Sequence, residues 1–166
     1  MKSYKIADLE ANFGIAIKRN TKVIGVDTAT RTGICVATTD DKTITLEYNI
    51  LDLKNNDKFY VYNQIIKYFE QLLDTSYNRV VIEETFFSTN AKVFCLLSRL
   101  GAMVYTVAKL KGIDDIKFIS AMQARKGINI PARGKKKEVH EAFQAACPFI
   151  EVTDIDVVDE IGRAHV

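Results

Sequence analysis

Four carboxylates in this sequence have the types and spacing of a metal site. Asp156 and Asp159 are three residues apart, and on a helix that spacing places two side chains on one face. Asp27 and Glu83 each end a short apolar segment with the pattern of a buried strand. Taken alone, the terminal pair is more simply explained as an acidic, solvated first turn behind the N-cap residue Asp154.

A functional interpretation requires the four acids to meet. If the strands that end at Asp27 and Glu83 are parallel neighbours, both acids emerge at the same edge of the sheet, where open α/β sheets bind ligands. Four carboxylates at one place repel each other unless cations lie between them, and oxygen ligands suit Mg²⁺ or Mn²⁺. Two such ions about 3.5–4 Å apart can activate water and stabilise the leaving oxygen in phosphodiester cleavage. Each acid alone also fits a structural role, Asp27 in a turn and Glu83 at the surface.

The elements that must position these acids follow from hydrophobic periodicity. The pattern predicts three strands joined by tight turns, an antiparallel meander, and then a strand that returns through a helix and lies parallel to the first. In chain order the predicted elements are strands 22–27, 33–39 and 43–51, helix 59–73, strand 79–83, helix 90–111, strand 116–119, helix 138–146 and a last helix starting near residue 154. This order indicates one α/β domain with a mixed five-stranded sheet flanked by helices.

Composition narrows the protein class. The 166 residues suit one domain, and 48% hydrophobic with 27% charged residues is ordinary for a globular protein. The apolar runs are predicted to be shorter than a membrane span, so we expect no membrane partner. Residues 1–10 contain acids and lack an apolar core, so we expect no secretory signal and a cytoplasmic location, compatible with a bacterial or phage-like context. Cys35, Cys95 and Cys147 are too scattered for a zinc site or a disulfide framework.

One segment is rich in cations although the chain as a whole is not. The formal net charge is only +2, so any nucleic-acid surface must come from local clustering. Residues 125–137 contain no acid, and their six cations are Arg125, Lys126, Arg133, Lys135, Lys136 and Lys137. The simple interpretation is a solvated loop. Beside an acidic metal site, however, such a segment can hold a nucleic-acid backbone through phosphate contacts, which offset the repulsion from the carboxylates.

The predicted helix 90–111 is apolar on more than one side. One stripe consists of Val93, Leu97, Leu100, Val104 and Val107, and the apolar residues off that stripe are Phe94, Ala102 and Tyr105. One stripe can face the sheet. The remaining apolar surface needs a second partner, either another helix or another subunit.

Four short segments carry a resemblance to a known family. They are Gly-Val-Asp-Thr-Ala-Thr-Arg-Thr-Gly at 25–33, Val-Ile-Glu-Glu-Thr-Phe-Phe at 81–87 followed by Asn90, Lys-Lys-Lys-Glu-Val at 135–139 and Asp-Val-Val-Asp-Glu-Ile-Gly-Arg-Ala at 156–164. In this order and spacing they resemble the RuvC-like Holliday junction resolvases of the RNase H superfamily. The resemblance runs from about Lys22 to the end, so we divide the chain into an N-terminal extension of unknown role, 1–20, and a nuclease domain, 21–166.

The resemblance implies an RNase H-like fold and roles for individual residues. The implied metal ligands are Asp27, Glu83, Asp156 and Asp159, with Mg²⁺ as the cofactor and Mn²⁺ able to substitute. It places Lys136 near the scissile phosphate, with Lys135 or Lys137 in its place if the register shifts by one. Phe86 is implied to stack on a base at the junction, although core packing is the alternative. The family acts as a symmetric dimer, which we expect to form here through the 90–111 helix.

Together these features predict a metal-dependent, structure-selective DNA endonuclease that resolves four-way junctions by paired nicks. The remaining cations of the basic segment, from Arg125 to Lys137, are then expected to contact DNA phosphates. One alternative is a flap or broader branched-DNA endonuclease of the same fold, and another is a junction-binding protein without cleavage. A fragment of an actin-like ATPase is disfavoured because the sequence lacks a second, glycine-rich phosphate-binding loop.

Overall fold

The computed structural model describes residues 1–86, 90–131 and 136–146, with the backbone alone at positions 136 and 146. Strands and helices alternate along most of this length. The elements are β1 (Lys2–Lys5), α1 (Ile6–Phe13), β2 (Lys22–Asp27), β3 (Arg31–Thr39), β4 (Thr43–Asp52), α2 (Lys58–Leu72), β5 (Arg79–Glu83), α3 (Ala91–Leu110), β6 (Ile116–Ile119), α4 (Ala121–Gly127) and α5 (Lys136–Ala146).

One mixed sheet organises the fold, in the strand order β1-β4-β3-β2-β5-β6. Strands β2, β3 and β4 form the predicted antiparallel meander. Strand β5 lies parallel to β2, and β6 lies parallel to β5, as expected for strands that return through helical crossovers. The predicted α/β class, with a mixed sheet flanked by helices, is therefore confirmed.

The prediction of five strands is wrong by one, because the N-terminal residues join the sheet. Strand β1 pairs antiparallel with β4, from Lys2 opposite Leu46 to Lys5 opposite Thr43. The segment Lys-Ser-Tyr-Lys is too short and too polar to show a strand pattern in the sequence. The start of the N-terminal extension is thus paired into the same sheet as β2 to β6.

Side chains on the two faces of the sheet enter different hydrophobic clusters. The face under α2 and α3 contributes Ile24, Val26, Val80 and Ile82 to a large central core. Successive strand residues point to opposite faces, so Val23 and Val81 lie on the other face, where they pack with Ala124 of α4. Beyond them on that side lies the cluster that we call the N-terminal cluster, formed by Ile6, Leu9, Phe13, Ile17, Ile128, Ile130, Val139 and Phe143.

Helix α3 buries most of the predicted stripe. Its buried residues are Leu100, Gly101, Val104, Val107 and Ala108. Leu97 packs at the margin of the central core, whereas Val93 is 44% exposed and does not take the inward position that we predicted. Among the described residues α3 alone is long and apolar enough to cross a membrane, with a mean hydropathy of 1.5. The expectation that no run approaches that length was wrong for α3, but its inner face is part of the central core.

Candidate active site

Asp27 and Glu83 lie side by side at the carboxyl ends of two parallel strands. The register of β2 and β5 pairs Val26 with Ile82, so the next residue of each strand stands on the same rung. Val26 and Ile82 are completely buried in the central core, and alternation therefore turns both acids to the opposite face. Both side chains are partly exposed. The structure thus brings together the two acids that the sequence placed at one sheet edge.

The turn that follows Asp27 is stabilised by hydrogen bonds within the turn and to the residue after β4. The hydroxyl group of Thr32 donates to the carbonyl oxygen of Ala29 at 2.7 Å, and the backbone of Leu53 donates to the carbonyl oxygen of Thr30, also at 2.7 Å. Thr28 and Thr32 are buried. Because these hydrogen bonds join the turn to Leu53 and to Thr32, they support the backbone position of Asp27.

Helix α3 passes directly under both acid-bearing strands at Gly101. A Cβ atom at this position would lie 3.6 Å from Ile82 Cγ2 and 3.8 Å from Thr28 Oγ1. These two residues are the immediate neighbours of Glu83 and Asp27 in the chain. Both distances are ordinary van der Waals contacts, so α3 packs against the two strand ends at Gly101.

The edge continues past Glu83 into α4. The backbone N–H of Glu84 donates to the carbonyl oxygen of Ile119 at 2.8 Å, which extends the parallel ladder between β5 and β6. Ser120 then begins α4 with a capping box in which its side chain and that of Gln123 satisfy each other's backbone N–H groups. Helix α4 therefore starts at the carboxyl edge and, through Ala124, covers the sheet face to which the acids turn.

Phe86 lies three residues beyond Glu83 and is 90% exposed. Core packing, the alternative role considered for this ring, is excluded by that exposure. Residues 87–89 lie outside the described part of the chain. The predicted stacking of Phe86 on a base is compatible with this exposure and stays a prediction.

The basic segment is divided between two helices. Arg125 and Lys126 occupy the last turn of α4, a helix that we did not predict because seven residues show little periodicity. Positions 136 and 137 open α5, two residues earlier than predicted. Lys137 is exposed and lies 3.8 Å from Glu141 in an i,i+4 ion pair, an interaction that contributes little at a surface. Arg133 and Lys135 fall outside the described residues.

Solved structures share this arrangement of strands and helices. RuvC of Thermus thermophilus, in complex with a Holliday junction substrate, matches with a TM-score of 0.69 and 15% identity, over 87% of this chain and 90% of that chain. A second Thermus thermophilus RuvC structure matches with the same TM-score at 16% identity, over 87% of this chain and 91% of that one. The chain has a RuvC-like fold.

A third match extends the comparison to a eukaryotic protein. The yeast mitochondrial Holliday junction resolvase Ydc2 gives a TM-score of 0.61 at 12% identity, over 95% of this chain and 81% of that one. No protein-family model and no curated protein matches the sequence. The resemblance predicted from the sequence motifs is confirmed at the level of the RuvC-like fold, and at such low identity the residue roles stay predictions.

Within the RuvC-like fold, the described residues supply two of the four expected metal ligands. In the ranges 1–86, 90–131 and 136–146, no group of three or more His, Cys, Asp or Glu side chains could hold a metal ion. Asp156, Asp159 and the predicted last helix lie outside these ranges. Mg²⁺ is commonly bound through only one or two carboxylates, with water and substrate phosphates completing its shell. The pair Asp27 and Glu83 fits that requirement.

Two exposed cations near the same edge were missed in the sequence. Arg31 begins β3 directly after the turn that follows Asp27, and Lys92 lies in the first turn of α3, where the side chain of Asn90 caps the helix. Both are exposed. The signal that could have identified them is their position, a few residues beyond the strand ends that carry the acids. Contact of either cation with a phosphate at this edge is a prediction from these positions.

Proposed function

We propose that this protein is a metal-dependent endonuclease that resolves four-way DNA junctions by paired nicks. The main support is the adjacency of Asp27 and Glu83 at the carboxyl ends of β2 and β5 in a RuvC-like fold. Among the structures with this fold, one is RuvC bound to a Holliday junction substrate and another is a mitochondrial Holliday junction resolvase.

In this proposal Asp27 and Glu83, joined by Asp156 and Asp159, would hold Mg²⁺, with Mn²⁺ able to replace it. Bound divalent ions supply an activated water and neutralise charge on the leaving oxygen of a phosphodiester. The carboxylates fix where the scissile phosphate sits, because Asp27 and Glu83 stand on fixed strand ends. The rigid turn at Thr28 to Thr32 and the close helix at Gly101 keep those ends in place.

Cations have two separate tasks in this proposal. Lys136, in the first turn of α5, would stabilise negative charge that develops at the scissile phosphate. Phosphates further along the DNA would be held by Arg125, Lys126, Arg133, Lys135 and Lys137. These contacts offset the repulsion between DNA and the acidic edge, and they make binding strongly salt-dependent.

Replacing Phe86 with alanine is expected to weaken binding to a four-way junction. Stacking of one base on an aromatic ring contributes about 1–3 kcal/mol, so the affinity should fall roughly 5- to 150-fold. Phe59→Ala is the matched control, because Phe59 is also highly exposed, at 76%, but lies at the start of α2. Junction affinities of both variants from fluorescence anisotropy check this. Equal affinities for Phe86→Ala and the unsubstituted protein would remove Phe86 from the interface.

A homodimer through α3 is the second structural component of the proposal. Tyr105 is 40% exposed on the outer side of α3, and its ring lies 6.1 Å from that of Phe118 on β6, which is 44% exposed. Light scattering at micromolar concentration is expected to give twice the chain mass of 18.7 kDa. Tyr105→Arg should shift the protein toward monomer, because it places a charge in an apolar interface.

The control for the dimer is Tyr60→Arg, since Tyr60 on α2 is 48% exposed. It should remain dimeric. A mass of one chain for the unsubstituted protein, with and without junction DNA, would exclude the dimer and leave the outer side of α3 without this role.

Incubation with four-way, flap and linear DNA, with and without Mg²⁺, tests the proposed activity. We expect cleavage of the four-way junction only when Mg²⁺ or Mn²⁺ is present, and little cleavage of linear duplex. Equal cleavage of flaps would instead support a broader branched-DNA nuclease. Tight junction binding with no cleavage at any metal concentration would support a junction-binding protein.

A further inference from the structure

The first helix of the chain packs against the helix that begins with the catalytic-site lysines. Phe13 of α1 and Phe143 of α5 are 5% and 0% exposed, and their ring centroids are 5.7 Å apart. Val139 of α5 is also buried and belongs to the N-terminal cluster together with Ile6 and Leu9. Helix α5 therefore owes its burial in the described structure to the cluster that α1 builds.

The end of the same N-terminal helix also contacts residues 128–130, in the interior of the basic segment. Asn129 adopts a left-handed backbone with φ of 53°, and its side-chain amide donates to the carbonyl oxygens of Phe13 at 2.6 Å and Gly14 at 3.3 Å. Its neighbours Ile128 and Ile130 are buried in the N-terminal cluster. Residues 128–130, inside the basic segment, and α5, which contains its last two residues, thus pack against the same N-terminal cluster.

That support is joined to the sheet through β1 and is held together internally by Glu10. Strand β1 pairs with β4, and Arg19 forms a bidentate ion pair with Glu10, at 2.7 and 2.9 Å. The backbone N–H of Ile17 donates to the same carboxylate at 2.8 Å. The guanidinium of Arg19 and this backbone N–H lower the pKa of Glu10 to about 2, so the carboxylate keeps its charge at acidic pH values where an ordinary glutamate becomes protonated.

We propose that residues 1–20 are a positioning element for catalysis, which sets the direction of α5 and so places one lysine of its first turn, Lys136, against the scissile phosphate. This inference rests on the proposed nuclease function. Phe143 lies seven residues beyond Lys136, about 10 Å along the helix axis at 1.5 Å per residue. A small tilt at the anchored part of α5 therefore becomes a displacement of its first turn. In this proposal Phe13, Asn129 and Phe143 act through that lysine and do not touch the substrate.

Two variants test the proposal in the full-length protein. Phe143→Leu loosens the α1–α5 contact, and Asn129→Gly removes only the side-chain amide, because glycine readily keeps a positive φ. Misplacement of a catalytic group by about 1 Å can cost on the order of 100-fold, so we expect single-turnover cleavage of bound junction to fall at least about tenfold. Phe69→Leu is the matched control: Phe69 is also completely buried but lies in the central core. It should lose similar thermal stability and keep its cleavage rate.

A double-mutant cycle separates positioning from simple destabilisation. The cycle combines Phe143→Leu with the alanine variant of the first-turn lysine that carries the rate effect. If Phe143 acts through that lysine, Phe143→Leu should lower the cleavage rate little further once the lysine is gone, because the effects of coupled residues are not additive. Full additivity, or unchanged cleavage by both Phe143→Leu and Asn129→Gly in folded protein, would overturn the positioning role. These outcomes are distinct from failure of the proposed function, in which the unsubstituted protein would not cleave at all.

Discussion

Asp27→Asn and Glu83→Gln are each expected to abolish cleavage of a four-way junction while the affinity for that junction stays nearly unchanged. The two side chains share a rung at the carboxyl edge of β2 and β5, so loss of either charge should weaken the same proposed metal site. Removing one group that stabilises charge in a transition state typically costs about 100- to 1,000-fold in rate, and loss of a metal ligand should cost at least that. Binding is retained because phosphate contacts come from cations elsewhere.

The matched control for Glu83→Gln is Glu84→Gln. Glu84 follows directly in the chain, but alternation turns it to the other face, and it is exposed. Asp52→Asn, at the exposed end of β4, serves the same purpose for Asp27. Single-turnover rates and anisotropy titrations should separate the two classes, with Asp156→Asn and Asp159→Asn behaving like the site variants. Full activity of any one of the four would remove that residue from the proposed site.

Lys136→Ala is expected to slow single-turnover cleavage by about 100-fold or more, the scale of one lost transition-state donor, with little change in junction affinity. A cation that interacts only with negative charge formed in the transition state raises the cleavage rate. A cation that binds a phosphate already in the ground state raises the affinity instead. The position of residue 136 in the first turn of α5 is compatible with such a role. Measurement at saturating enzyme isolates the rate of the bound complex.

Lys135→Ala and Lys137→Ala are the internal comparison. Each should weaken binding and reduce the salt slope by about one unit, as expected for one phosphate contact. If Lys135 or Lys137 carries the rate effect instead, the register of the resemblance shifts by one residue. If all three substitutions weaken binding equally and leave the bound cleavage rate alone, the basic segment only clamps DNA.

The strands that carry the two acids were predictable because buried strands appear in the sequence as short apolar runs. Predicted strands 22–27 and 79–83 agree with β2 and β5 at both ends. Central strands covered on both faces appear as near-continuous apolar runs, and an acid at the end of such a run marks the sheet edge. The parallel pairing then followed from the helical crossover between them.

Other parts of the structure leave no comparable pattern. Strand β1 is four polar residues, stabilised by pairing with β4 and by the packing of α1, so its existence depends on contacts far along the chain. Helix α4 is seven residues long and depends on the Ser120 capping box. The sequence alone could not show whether Phe86 is buried or exposed, because an aromatic residue that follows a core strand is compatible with both.

Mapping of nicks on a four-way junction with each strand end-labelled tests the central claim most directly. With Mg²⁺ present, the proposal predicts one nick in each of two opposing strands, at symmetric positions, giving two linear duplexes. Asp27→Asn should yield neither nick although the complex still forms. Nicks scattered over all four strands, cleavage independent of divalent metal, or equal activity of Asp27→Asn would contradict a carboxylate-based junction resolvase.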